Sequence, residues 1–266
     1  MTEPVLLETV DEHGVMVLTL NHEPTRNALT GTGLTEALLD AFARIERDKD
    51  IKVLVLTAKG KIFSSGGKLD EMARQIQPEV SSAALRQEYR HGIQRLPLAL
   101  HNLEIPTIAA VNGMAIGAGC DLTCMCDIRI ASEKASFAES FVKVGIIPGD
   151  GGAWFLPRIV GMARAVEMSL TGEPVDATTA LHWGLVSRVV SDEDLLPTAM
   201  ALAHKMTGNS PDIIRLTKRL LREGQQASLA NLLELSAAYQ AIAHKTPEHA
   251  AIIEDFMARK AKKQSS

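Results

Sequence analysis

PTIAAVNGMAIGAGCDL, residues 106–122, carries the pattern from which the architecture follows. Thr107 to Val111 is a β-prone apolar run that ends at Asn112-Gly113, and the small residues Gly117-Ala118-Gly119 then open a helix. A strand-loop-helix corner of this kind turns unpaired backbone N–H groups outward where no side chain blocks approach, which suits an anion or a developing oxyanion. Tight helix-to-strand packing through small residues explains the same letters equally well. Asp121 follows in the first helical turn, where an acid either complements the helix dipole, a contribution of about 0.3–1 kcal/mol, or does chemistry.

A second corner repeats the logic. The buried-type run 53–57 leads into KIFSSGGKLDEM, residues 61–72, with Ser64-Ser65-Gly66-Gly67 ahead of a helix starting near Leu69. Neither corner matches the G-x-x-x-x-G-K-[ST] phosphate loop or the G-x-G-x-x-G dinucleotide fingerprint, so neither points to nucleotide chemistry. Further along, residues 5–10 and 15–20 form a hairpin around Asp11-Glu12-His13-Gly14. Thr30 is placed to cap a helix whose Leu34, Ala37, Leu38, Ala41, Phe42 and Ile45 share a face. A single helix is expected from about 82 to 103, and strands near 128–131 and 186–190. The alternation of strands and helices predicts an α/β fold with crossover connections over residues 1–191. Residues 192–266 contain helical segments at 192–207, 211–244 and 247–262 with no strand among them, and form a separate helical region.

Composition narrows the function classes. The chain has 266 residues, a formal charge of -4 and 46% hydrophobic residues, with no basic excess to attract nucleic acid. The apolar window 105–126 is interrupted by Asn112, small residues and Asp121, unlike a membrane span. Cys120, Cys124 and Cys126 lack the spacing of a zinc site or a disulfide framework and suit buried positions in a reducing compartment. The acidic beginning lacks the pattern of a signal peptide. These features lead to the expectation of a cytoplasmic enzyme with a small-molecule substrate.

The chain resembles the crotonase superfamily, the enoyl-CoA hydratase/isomerase family. The resemblance rests on PTRNALT (24–30), FSSGGKLDEM (63–72), residues 106–122, CDIRIAS (126–132), FAESFVKVGIIPGDGG (137–152), LPRIVG (156–161) and LTGEPVDATTALHWGLVSRVV (170–190), in order and in register. It implies a spiral of ββα units, and a C-terminal helical part that assembles a homotrimer or a dimer of trimers. It also implies an acyl-CoA thioester substrate whose enolate oxygen is held by the backbone N–H groups of Gly67 and Ala118, with no metal or redox cofactor. By the same resemblance Arg26, Ala28, Ser65, Lys68 and Leu69 belong to the CoA-binding stretches, and Arg259 or Lys260 reaches CoA from a neighbouring subunit. Lys68 departs from the family, which usually has aspartate there.

Asp121 occupies the position of the first catalytic glutamate of the family's hydratases. The second falls at Phe141, which cannot transfer a proton, and which with Trp154 is a candidate wall of an acyl pocket. Asp150 is the candidate replacement acid, and Glu139 lies two residues before Phe141. Hydration of a 2-enoyl-CoA is the leading expectation; double-bond isomerisation, other enolate chemistry and a non-catalytic acyl-CoA binder are its rivals. His91 and His101 stay outside the expected site.

Overall fold

The computed structural model describes residues 3–264. Its first compact unit runs through Thr207 and is built on a six-stranded sheet. The N-terminal hairpin β1 (Leu6–Val10) and β2 (Val15–Leu20) is followed by helix α1 (Leu34–Arg47), strand β3 (Val53–Ala58) and the short strand β4 (Ile62–Ser64). Helices α2 (Leu69–Gln75), α3 (Ser82–His91) and α4 (Arg95–Asn102) precede β5 (Thr107–Val111), β6 (Met114–Ile116) and helix α5 (Ala118–Met125). Then come β7 (Ile128–Ser132), β8 (Ser136–Ala138), helices α6 (Gly152–Val160) and α7 (Met162–Thr171), β9 (Val175–Asp176), α8 (Ala177–His182), β10 (Arg188–Val190) and α9 (Asp192–Thr207).

The large sheet has the order β1-β2-β3-β5-β7-β10, parallel from β2 onward. A smaller sheet, β4-β6-β8-β9, lies beside it, with β4, β6 and β8 parallel. Each long strand is thus followed by a short strand of the second sheet: β3 by β4, β5 by β6, β7 by β8. This repetition is the expected spiral of ββα units. The short strands escape a reading by periodicity because three residues carry no usable alternation.

Period-two alternation divides the large sheet between two cores. Leu54, Leu56, Ala109 and Val111 face the cluster that contains α1, α4 and α5, whereas Val53, Val55, Ile108 and Ala110 face Leu195, Ala199 and Ala203 of α9. Those three residues sit four apart and form one helical stripe, and the two alanines let the helix approach closely. Helix α9 is therefore part of the sheet core, and the first unit extends past the expected boundary at 191 to Thr207.

Three expected features differ. Thr30 caps no helix: α1 begins at Leu34 after Gly33, and the Thr30 hydroxyl instead accepts the Lys68 N–H at 3.1 Å. The single helix over 82–103 is two, divided around Gly92. In the second unit, the expected helix 211–244 is also two, α10 (Pro211–Glu223) and α11 (Leu229–Ala243), followed by α12 (Pro247–Gln264). Gly224 ends α10, and Ser228 opens α11 by accepting the Asn231 N–H, a local stop and start that overrides the apolar periodicity.

Candidate active site

The two glycine-rich corners stand back to back. Gly66 has φ +76°, and a Cβ there would lie 2.5 Å from the Ile116 carbonyl oxygen and 3.0 Å from the Ala118 nitrogen. A Cβ on Gly119 would lie 2.5 Å from the Ser64 carbonyl oxygen. Both small residues are required by the contact of the two corners with each other, so packing and site-building are one requirement. The Ser64 hydroxyl donates to the Asn27 carbonyl at 2.8 Å and accepts the Gly66 N–H at 3.1 Å, fixing the first turn. The Gly117 N–H donates to the Ala138 carbonyl at 2.7 Å, fixing the second.

Gly67 and Ala118 line one cavity of about 300 Å³, which also exposes Asp150, Phe141 and Tyr89. Among the described residues none accepts a hydrogen bond from the Gly67 or Ala118 N–H. Two free donors on adjoining corners fit a single oxygen atom that gains negative charge. The Phe141 ring, only 9% exposed, packs over Gly117 and forms part of the wall. Its position on the short 3₁₀ turn 140–144 explains how an aromatic residue reaches the cavity.

Behind this wall lie three buried carboxyl groups. Asp121 on α5 is fully buried, Glu139 directly after β8 is 1% exposed, and Asp150 in the loop before α6 is 4% exposed. Asp121 neighbours Glu139 and Asp150 closely enough that the three shift one another's titration. Among the described residues no donor reaches either oxygen of Asp121 or Glu139. Asp121 is therefore no helix cap, and dipole complementation alone does not explain it. Burial, then the neighbouring Glu139 and Asp150, push the Asp121 carboxyl well above the usual range. Burial raises Glu139 to about 7, and raises Asp150 also, against the opposing effect of hydrogen bonds from Asp121 and backbone N–H groups. Three carboxyl groups in one dry cluster cannot all ionise together, so the cluster stores protons near neutrality. Only Asp150 of the three lines the cavity.

The stretches that the resemblance assigns to CoA are brought together. The Ser65 N–H donates to the Arg26 carbonyl at 2.9 Å, and the Leu29 N–H to the Gly66 carbonyl at 2.7 Å. Arg26, with φ +57°, is exposed at the turn. Ala28 is buried at 1% exposure, and its N–H and carbonyl are engaged by Thr25 and Thr32. The Ser65 hydroxyl donates to the Thr25 carbonyl at 3.2 Å, Lys68 pairs with Asp70 at 3.1 Å, and Leu69 is 71% exposed. None of these five residues lines the cavity itself. Trp154 is also absent from its lining: it packs edge-on against His101, with the Arg158 guanidinium 4.0 Å over its ring. Arg259 pairs with Asp255 at 2.7 Å within α12.

Two residues of the site leave no mark in the sequence. Tyr89 lines the cavity, and burial followed by the charge of Asp150 raises its phenol. A lone tyrosine on a polar helix gives no signal of that. Gly152 lies against Asp121, where a Cβ would come within 1.9 Å of Oδ1. Its only trace is the clustering of glycines in GDGG.

Residues 11–264 match the family profile described as enoyl-CoA hydratase/isomerase. The chain is 34% identical to the 1,2-epoxyphenylacetyl-CoA isomerase of Escherichia coli K12 over 249 residues, covering 94% of each protein. It is 38% identical to the 2,3-dehydroadipyl-CoA hydratase of the same organism, covering 81% of each. The crystal structure of an enoyl-CoA hydratase from Bacillus anthracis superposes with a TM-score of 0.89 at 30% identity, covering 96% of this chain and 97% of that one.

Proposed function

The chain belongs to the enoyl-CoA hydratase/isomerase family, and from that premise we propose that it catalyses reversible addition of water to a 2-enoyl-CoA, with Asp150 and Asp121 as its acid–base pair. The observation that carries this reading is the place of Asp150. It opens into the same cavity as Gly67 and Ala118 and has Asp121 against it, which supplies a second carboxyl group although Phe141 stands where the family's hydratases have one.

In this reading the thioester oxygen accepts both backbone N–H groups. As the water oxygen bonds to Cβ, negative charge moves onto that oxygen; each such donor typically contributes about 3–4 kcal/mol in the transition state. Asp150, which alone of the pair lines the cavity, takes a proton from the water as a carboxylate and returns a proton to Cα, while Asp121 behind it holds the pair's other proton, and the pair ends with the proton count it began with. Phe141 and Met72 wall the acyl group. Arg26 and Lys68 carry positive charge at the two joined stretches and are the proposed partners of the CoA phosphates. The reaction needs no metal or redox cofactor, since every proton is held by a side chain of this protein or by substrate.

Double-bond isomerisation is the second reading, favoured by the fact that only one carboxyl group of the cluster lines the cavity. A single base then removes an α-proton and returns it at the γ-carbon through the same enolate. The purified protein incubated with crotonyl-CoA and with 3-hexenoyl-CoA separates the two: hydration consumes the first, isomerisation converts the second to its 2-enoyl isomer. Asp150→Asn is expected to lower the rate about 100-fold or more while acetyl-CoA still binds. Turnover of neither substrate by the wild-type protein would leave the acyl-CoA binder as the surviving idea.

The homotrimer or dimer of trimers is likewise a proposal. Support comes from apolar residues that the single chain leaves exposed in the second unit, among them Leu221, Leu229, Phe256 and Met257. Among the described residues no helix is long and apolar enough to cross a membrane, and a cytoplasmic location fits the substrate class.

A further inference from the structure

We propose that Glu139 is a positioning residue that holds Asp121 through one shared proton, leaving Asp150 as the carboxyl group that meets substrate. The inference deepens the proposed reaction and rests on it.

Strand β8 ends at Ala138, whose carbonyl accepts the Gly117 N–H at 2.7 Å. Glu139 therefore enters beside the first turn of α5, where Asp121 stands. Both side chains are at most 1% exposed, and among the described residues neither receives a donor on either oxygen. Gly152 also closes on Asp121, since a Cβ there would lie 1.9 Å from Asp121 Oδ1. Two carboxyl groups in contact, out of water and without a cation, are held together by a proton on one of them, and the pair then titrates as a unit.

Besides the Cys120 thiol, which favours the ionised form of Glu139, no described residue supplies a charge that balances the pair. Helix α5 adds the Cys120 and Cys124 thiols, and the loop before α6 adds Asp150, which in turn faces the Tyr89 phenol of α3. The Arg129 guanidinium of β7 acts on the Cys124 thiol and donates to the carbonyl oxygens of Leu185, Thr123 and Cys126. Asp121 is the more strongly raised member and keeps the proton, while Glu139 ionises near pH 7.

The test is Glu139→Gln, which keeps the shape and an accepting oxygen for the Asp121 hydroxyl but removes the group that titrates. Wild-type kcat is expected to show a limb near pH 7 that the variant loses or moves by about one pH unit or more, with KM for the same enoyl-CoA within about threefold. Superimposable profiles would overturn the proposal. A second arm needs no activity: carbon-13 titration of side-chain carboxyl groups in the substrate-free protein should find Glu139 near 7 in the wild type and higher in Asp121→Leu, which keeps the burial but removes the donor that favours the ionised form of Glu139. A Glu139 already ionised in the wild type at pH 5, or one unmoved or lowered in Asp121→Leu, refutes it. Failure of the wild-type protein on every enoyl-CoA sinks the proposed reaction alone, and the titration still decides the shared proton.

Discussion

At Gly152 a hydrogen atom stands where a methyl group would lie 1.9 Å from Asp121 Oδ1. Gly152→Ala must push the carboxyl group or the start of α6 aside, and the acid–base pair with it. A displacement on the order of 1 Å at a reacting group lowers rates about 100-fold. The expected result is a kcat loss of that size with acetyl-CoA affinity kept within a few-fold and an unchanged circular dichroism spectrum. Unaltered kcat would show that Asp121 is not held by this contact. Asp121 and Gly67 are legible as letters because they sit inside motifs of fixed spacing. Glu139 is legible only as a nearby acid, since its importance depends on facing Asp121 from a different strand.

Among the elements, α9 shows how a helix is claimed by a sheet. Ala199 is fully buried in the cluster that holds Val53, Val55 and Ile108. Ala199→Leu is expected to lower stability by about 1–3 kcal/mol through overpacking, measured by urea unfolding, with the kcat of folded protein retained because the cavity lies on the other core. A stability equal to wild type would mean that the helix can retreat from the sheet. The long strands were readable from their apolar runs, and the helix starts from their small and polar residues. The second sheet was not, because its three-residue strands are defined by pairing partners far away in the chain. The same reason hid the membership of α9 in the core: its stripe of Leu195, Ala199 and Ala203 is visible in the letters, but the surface it covers is not.

For the molecule as a whole, the buried carboxyl cluster sets a pH dependence. Glu139 titrates near 7 in the folded protein against an ordinary 4.5, and Asp121 and Asp150 are raised as well. Between those values the native state binds more protons than the unfolded chain, so the contribution is fully present below the unfolded value and is lost as pH rises through the folded one. Carboxyl groups held low by partners, such as Asp176 with the Thr179 N–H and Asp192 with Lys134, titrate below this window and do not offset it. Tm is expected to fall from about pH 5 to about pH 7, with a slope of up to about 1.4 kcal/mol per pH unit for one group, and Glu139→Gln should flatten it. A Tm that rises across the window, or an equal slope in the variant, contradicts this account.

The sequence by itself determined the α/β class and the strand-to-helix corners, because periodicity and small-residue spacing are local properties of the chain, while its resemblance to the family singled out Gly67, Ala118 and Asp121 on those corners. Only the tertiary structure decided which acids meet. Asp121, Glu139 and Asp150 come from a helix, a strand end and a loop, and their protonation is set by the burial and mutual contact that folding imposes. Phe141 stands where the resemblance expects an acid, and the fold brings Asp150 into the lining of the same cavity.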